Sequence, residues 1–120
     1  MPDNLITLDA AVQMTTLYRS QKETILAQPF QGQNILATCE TFDRGAFDTL
    51  LSEDGCVSVR IYYGMSTDLK VHAIMVGVDS NNQDILPTSN LRALSSTNPV
   101  IVEEGTRCPD DCPPSSPLNP

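Results

Sequence analysis

An α+β fold is predicted for this chain: two N-terminal helices packed on a small, mainly antiparallel sheet centred on a β-hairpin, followed by an extended Pro/Cys-rich tail. Three observations predict it. Residues 55–79 read as two apolar runs, GCVSVRIYYGM and VHAIMVGVD, joined by the short polar turn STDLK. Two stretches ahead of them place apolar residues at helical spacing. The last twelve residues contain five prolines, which rules out a helix there and favours polyproline-like chain.

The hairpin carries the clearest pattern. In its first run Val57, Val59, Ile61 and Tyr63 fall on one face, and Cys56, Ser58, Arg60 and Tyr62 on the other. A period of two with β-branched and aromatic residues is the mark of a half-buried strand. That strand is expected near an edge, with Arg60 towards water, one tyrosine in the core and the other at the rim. In the second run Val71, Ala73 and Met75 alternate with Ile74, Val76 and Val78, so both faces are apolar and the strand is expected inside the sheet. Gly64 and Ser66-Thr67-Asp68 supply turn chemistry. Gly77 marks a bulge or a close backbone approach.

Before the hairpin, Thr7 is placed to cap a helix, with Asp9 facing the positive end of its dipole. Over residues 8–28, Ala10, Ala11, Met14, Leu17, Tyr18 and Ile25 gather on one side, opposite Asp9, Gln13, Thr16, Ser20 and Glu23. This predicts an amphipathic helix of about five turns, stopped by Pro29. Residues 31–40, with Ile35-Leu36-Ala37, read as an edge strand or an extended connection. Thr41 reads as a second cap, for a short helix over residues 42–52 carrying Phe42, Ala46, Phe47, Leu50 and Leu51 and ended by Gly55. After the hairpin come a polar loop (residues 79–84), a brief strand at Ile85-Leu86 ended by Pro87, one helical turn at Leu91, Ala93 and Leu94, and a short strand at residues 99–103, PVIVE. The domain division expected is a single α+β domain over 1–105 and a tail over 106–120.

Composition narrows the partners. The formal charge is -8 and the isoelectric point about 4.3, so a phosphate backbone or an anionic membrane surface is repelled on average. With 5% aromatic residues and no Trp, the core must be aliphatic. The start, MPDNLITLDA, lacks the basic and apolar regions of a secretory signal, and no apolar run approaches membrane-spanning length. A cytoplasmic location is therefore expected, with the four cysteines as thiols or metal ligands rather than structural disulfides.

Cys108 and Cys112 form CPDDC. One reading is half a zinc site completed by Cys39, Cys56 or His72, since thiolates favour zinc and a structural site takes four ligands. Against it, Asp110 and Asp111 oppose thiolate formation, although they also attract a cation. A second reading is a redox pair, looser than the CxxC spacing. The third is an ordered tail whose cysteines pack on the domain. Cys56, at the head of a strand, reads as a small core residue. Cys39, near a helix start, reads as a thiol whose ionised form is favoured there. His72 is the sole histidine, and with Arg60 and Tyr62 it can line a groove. No nucleophile-and-base pattern accompanies it, so no catalytic residue is assigned. Asp79, Asn81 and Asp84 lack the central Gly and terminal Glu of a calcium loop and read as a solvated turn. Pro113, Pro114 and Pro117 give the tail a PxxP character.

The stretch FDRGAFDTLLSEDGCVSVRIYYGMSTDLKVHAIMVGVDSNNQDIL, with EEGTRCPDDCPP behind it, resembles a family of small uncharacterised bacterial proteins. That family has a GC…RIYYGM…VGVD core and a CPxxCP-like C-terminal tail. The resemblance covers roughly the last two-thirds of the chain. It implies that Phe42-Asp43-Arg44, Gly55-Cys56, Arg60, Tyr62-Tyr63-Gly64, Asp79 and the Cys108/Cys112 pair belong to one recurring design. The family has no established activity, so no catalytic residue carries over. The function expected is a non-enzymatic interaction or accessory protein of the bacterial cytoplasm, with no cofactor, meeting a protein partner or a second copy through its strand edge or tail. The alternative is a zinc-binding or redox protein using Cys108 and Cys112.

Overall fold

The computed structural model describes residues 4–87 and 99–120; the helical turn expected at Leu91, Ala93 and Leu94 lies outside them. The α+β class is as predicted. The chain forms two compact units, Met1–Cys39 with Arg107–Pro120, and Glu40–Thr106.

The first unit is built on α1 (Leu8–Gln21). Thr7 caps it as expected, its Oγ1 accepting the Ala10 N–H at 3.1 Å. The helix is shorter than the predicted 8–28. Past Lys22, the Glu23 carboxylate turns away to accept the Gly32 N–H at 2.6 Å. Gly32 sits at φ 76°, which lets the chain reverse there. Pro29 lies in a 3-10 turn, Gln28–Phe30, beyond the helix rather than at its end. The apolar stripe is covered only at Ala10 and Ala11: no residue of α1 is buried, and Met14 and Leu17 are exposed. Its half-buried side carries Ala11, Val12, Thr15 and Arg19. Polar tethers fix this side, with Tyr18 Oη donating to the Ala37 carbonyl at 2.6 Å and Arg19 Nη1 to the Leu118 carbonyl at 2.6 Å.

Residues 31–38 form a connection, and the first strand comes later, as β1 (Cys39–Thr41). Thr41 therefore ends a strand instead of capping a helix. The cap position of α2 (Arg44–Leu51) is Asp43, whose carbonyl accepts the Ala46 N–H at 3.2 Å.

The hairpin is β2 (Ser58–Met65) and β3 (Val71–Val78), antiparallel in register from Ser58↔Val78 to Met65↔Val71. Its turn is closed by the Ser66 N–H to the Lys70 carbonyl at 3.0 Å and by the Ser66–Asp68 side-chain bond. β4 (Asp84–Ile85) adds to the far side of β3, giving the order β2-β3-β4. Asp79 shapes the loop between them, its Oδ1 accepting the N–H groups of Asn81 (2.9 Å) and Gln83 (3.0 Å). The predicted strand at residues 99–103 reduces to one bridge, in which Val102 exchanges both backbone bonds with Met75 at 2.8 and 2.9 Å. β5 (Thr106–Cys108) pairs with β1.

The core of the second unit is Leu50 of α2, Met75 of β3 and Val102, flanked by Phe42, Ala46, Phe47, Val59 and Val100. Phe42 and Phe47 meet edge to face with centroids 6.2 Å apart, a favoured aromatic geometry. It lies on the face of the sheet carrying Val59 and Met75. Tyr62 and Tyr63 are both exposed, so neither tyrosine enters it.

Candidate functional site

Two groups of predicted residues can be followed into the structure. The first is the cysteine loop. Cys108 ends β5, and a disulfide joins it to Cys112, with Cα atoms 4.5 Å apart. Thiols expected from the compartment argument are thus replaced, at this pair, by a bonded disulfide. Its two sulfurs have different surroundings. Cys108 is 3% exposed, whereas Cys112 is on the surface.

Cys108 is held from several directions within its unit. Its carbonyl accepts both the Thr38 N–H (2.8 Å) and the Thr38 Oγ1 hydroxyl (3.0 Å). Asn119 Nδ2 points a donor at Cys108 Sγ from 3.6 Å. The neighbouring Arg107 guanidinium donates through Nη2 to the carbonyls of Asn34 and Ile35, each at 3.0 Å. The loop closes on itself through the Asp111 N–H to the Arg107 carbonyl at 3.0 Å.

The tail beyond it is not an extended strand of polyproline. Pro113, Pro114 and Pro117 are exposed, but Ser116 and Asn119 pair with each other across a tight turn. The reason is local: Arg19 captures the Leu118 carbonyl and Asn119 reaches back to the disulfide, so the chain must double over.

Of the cysteines named beside the pair as zinc ligands, Cys39 and Cys56 are free thiols. Cys39 belongs to the same unit as the disulfide, while Cys56 and His72 belong to the other; both cysteines are half-buried. Among the described residues no three His, Cys, Asp or Glu side chains group as metal ligands. Cys56 Sγ lies 3.3 Å from the Ser58 carbonyl.

The second group is Arg60, Tyr62 and His72. Strand register puts all three on one face of the second unit, opposite the core. Arg60 reaches over β3 to β4, where Nη1 donates to Asp84 Oδ1 at 2.5 Å, and Nη2 donates to Asn82 Oδ1 at 2.5 Å. Tyr62 Oη donates to the second Asp84 oxygen at 2.5 Å. These bonds set the titration. The Tyr62 bond, aided by Arg60, holds the Asp84 carboxyl below its ordinary value, and the same bond pushes the Tyr62 hydroxyl up. His72 is separate from them. Its Nδ1 lies 3.2 Å from Glu103 Oε1, close enough for charge attraction but not aligned as a hydrogen bond.

No protein-family model, curated protein or solved structure matches this chain. The site must be read from its own geometry. Of the partners of Arg60, the sequence places Asp84 in a solvated turn with Asp79 and Asn81, and Asn82 only in the polar loop 79–84. The signal that would have found them is parity: once Ile85 pairs with Gly77, Asp84 lies on the face of Arg60. Thr38 and Asn119 carry no sequence signal, because chain folding far from the cysteines brings them to Cys108. Among the described residues no helix is long and apolar enough to cross a membrane.

Proposed function

We propose that Cys108 and Cys112 act as a reversible dithiol–disulfide pair, making this chain a small thiol-redox protein. The observation carrying this reading is the asymmetry of the bond: Cys108 is buried with its sulfur faced by a donor, and Cys112 is an exposed residue. An attacking thiolate reaches Cys112 Sγ from solvent. The new bond forms between the incoming sulfur and Cys112, the Cys108–Cys112 bond breaks, and its electron pair leaves on Cys108. Asn119 Nδ2 is placed to donate to that thiolate, which then takes a proton from water. A second thiol of the reductant attacks its own sulfur in the mixed disulfide and releases Cys112. The balance is two electrons and two protons from a dithiol, which leaves as its disulfide. Short loops closed by an accessible sulfur are the exchangeable kind, whereas structural disulfides resist the glutathione pool, with potentials below about -300 mV.

The test is a redox titration of the full chain in glutathione and dithiothreitol buffers, read by alkylation and mass. The pair is expected to reduce and re-form reversibly above about -300 mV. In Cys108→Ser the remaining Cys112 thiol is expected to form a mixed disulfide with glutathione at least about tenfold faster than Cys108 does in Cys112→Ser, as exposure dictates. A pair that stays oxidised in millimolar dithiothreitol in the folded protein would make it a staple instead. In native mass spectrometry of the reduced protein, a zinc mass that disappears in Cys108→Ser would transfer the pair to metal binding.

A further inference from the structure

Outside the cysteine loop, the most conspicuous unfilled bonding capacity lies along β2. Met75 spends its backbone N–H and C=O on Val102, so both point away from β2. In an antiparallel ladder the residue opposite must then turn its own groups outward. That residue is Ile61. By alternation Val59, Tyr63 and Met65 do the same. Among the described residues β2 is an edge strand.

The edge lacks the usual protections. It has no proline and no lysine, and its register with β3 runs without interruption for eight residues. Its one charge, Arg60, is occupied by Asp84 across the sheet. Edges of this kind are templates for another strand. The side chains around it are apolar and uncovered: Ile61 is 51%, Met65 60% and Tyr63 80% exposed.

We propose that β2 is the homodimer edge of this protein, pairing antiparallel with β2 of a second copy about a two-fold axis at Tyr62. The occupant is argued from self-complementarity. In that register Ile61 of each chain faces Tyr63 of the other, and Val59 faces Met65. All four are residues with outward backbone groups, so about eight new backbone hydrogen bonds form. Ile61 with Tyr63 is a β-branched–aromatic pair, a stabilising cross-strand combination. On the opposite face Tyr62 meets its own copy and Arg60 meets Gly64, so like charges never sit across from one another. A two-fold contact of one patch with itself is the commonest symmetry of oligomers. Val57 and Tyr62 add further exposed apolar surface along the same edge, the kind of surface that a standard interface of ~800 Å² per partner covers. The two three-stranded sheets become one continuous sheet.

Sedimentation and native mass spectrometry of the full chain test this. The wild type is expected at twice its 13.1 kDa mass at micromolar concentration. Tyr63→Pro removes only an outward N–H, which an edge strand tolerates, and is expected at the monomer mass with unchanged circular dichroism. Should that variant fail to fold, Tyr63→Lys carries the test, with at least a 100-fold weaker dimer expected. Leu17→Lys, on the exposed stripe of α1, is expected to leave the dimer intact. A wild type that is monomeric at 100 μM overturns the proposal. So does a dimer that survives Tyr63→Lys, or one that Leu17→Lys dissolves while Tyr63→Lys does not.

Discussion

β2 and β3 are the same length, share one register and have similar compositions, yet they end in opposite surroundings. Met75, Val76 and Val78 are buried, whereas Ile61, Tyr62, Tyr63 and Met65 face solvent. Alternation already hints at the difference, since β3 is apolar on both faces and β2 on one. The number of neighbours completes it: β3 has β2 on one side and β4 with Val102 on the other, and its core face meets Leu50. Among the described residues β2 has β3 on one side alone. The contrast shows that burial in a small sheet is decided by position in the strand order as much as by pattern.

The largest test of that contrast is a matched pair of truncations. Met75→Ala leaves a cavity against Leu50 and Val102 and is expected to lower stability by about 2–5 kcal/mol. Ile61→Ala, directly opposite in register, removes a half-exposed side chain and should cost below about 1 kcal/mol. Urea unfolding in dilute protein measures both. Equal costs would mean that β2 is covered in solution as fully as β3.

The features legible in sequence were those set by local pattern. The hairpin, the two-sided burial of β3, the Thr7 cap and the turn at Ser66 all follow from periodicity or turn chemistry within a few residues. What escaped depends on distant chain. Glu23 shortens α1 by bonding Gly32, and Thr41 is lost as a cap because residues near 107 pair with its strand. The apolar stripe of α1 leaves Met14 and Leu17 exposed, because hydrogen bonds from Tyr18 and Arg19 to distant carbonyls hold the helix. Of the site, the cysteine pair was visible as a motif. The burial of Cys108 but not of Cys112 was not visible, because Thr38, bonded to Cys108, comes from seventy residues earlier in the chain.

Glycines sharpen the comparison next. A Cβ on Gly77 of β3 would stand 2.8 Å from Glu53 Oε1 and 3.1 Å from Cys56 Sγ. Glu53 is not free to move, since its other oxygen accepts the Val100 N–H at 2.5 Å. Gly77→Ala should therefore cost about 1–3 kcal/mol, the usual range for overpacking. This is the close approach that a strand glycine predicts. On β2, a Cβ at Gly64 would meet Ile74 Cδ1 at 2.6 Å. That atom is the end of a flexible side chain, so Gly64→Ala should be the milder change in the same urea experiment.

The smallest effect concerns the one place where β2 does gain partners beyond β3, the Arg60–Tyr62–Asp84 network. Asp84 has its carboxyl held below the ordinary 3.8, first by Tyr62. A depressed folded value means that its contribution is present above 3.8 and is lost as the pH falls through the folded value. Tyr62 is shifted the other way, above 10.0, so its contribution is present below 10.0 and is lost as the pH rises through the folded value. Tyr62→Phe removes the shared bond and leaves Arg60 on Asp84. The Asp84 carboxyl is then expected to titrate nearer 3.8 in a carbon-detected NMR pH series. Acid unfolding should begin at a higher pH. The part of the alkaline loss of stability due to Tyr62 should disappear, leaving that of Tyr18, whose hydroxyl is also pushed up, by burial. An unmoved Asp84 titration would show that Arg60 alone sets it, and that the tyrosine of the edge strand is bound to nothing in solution.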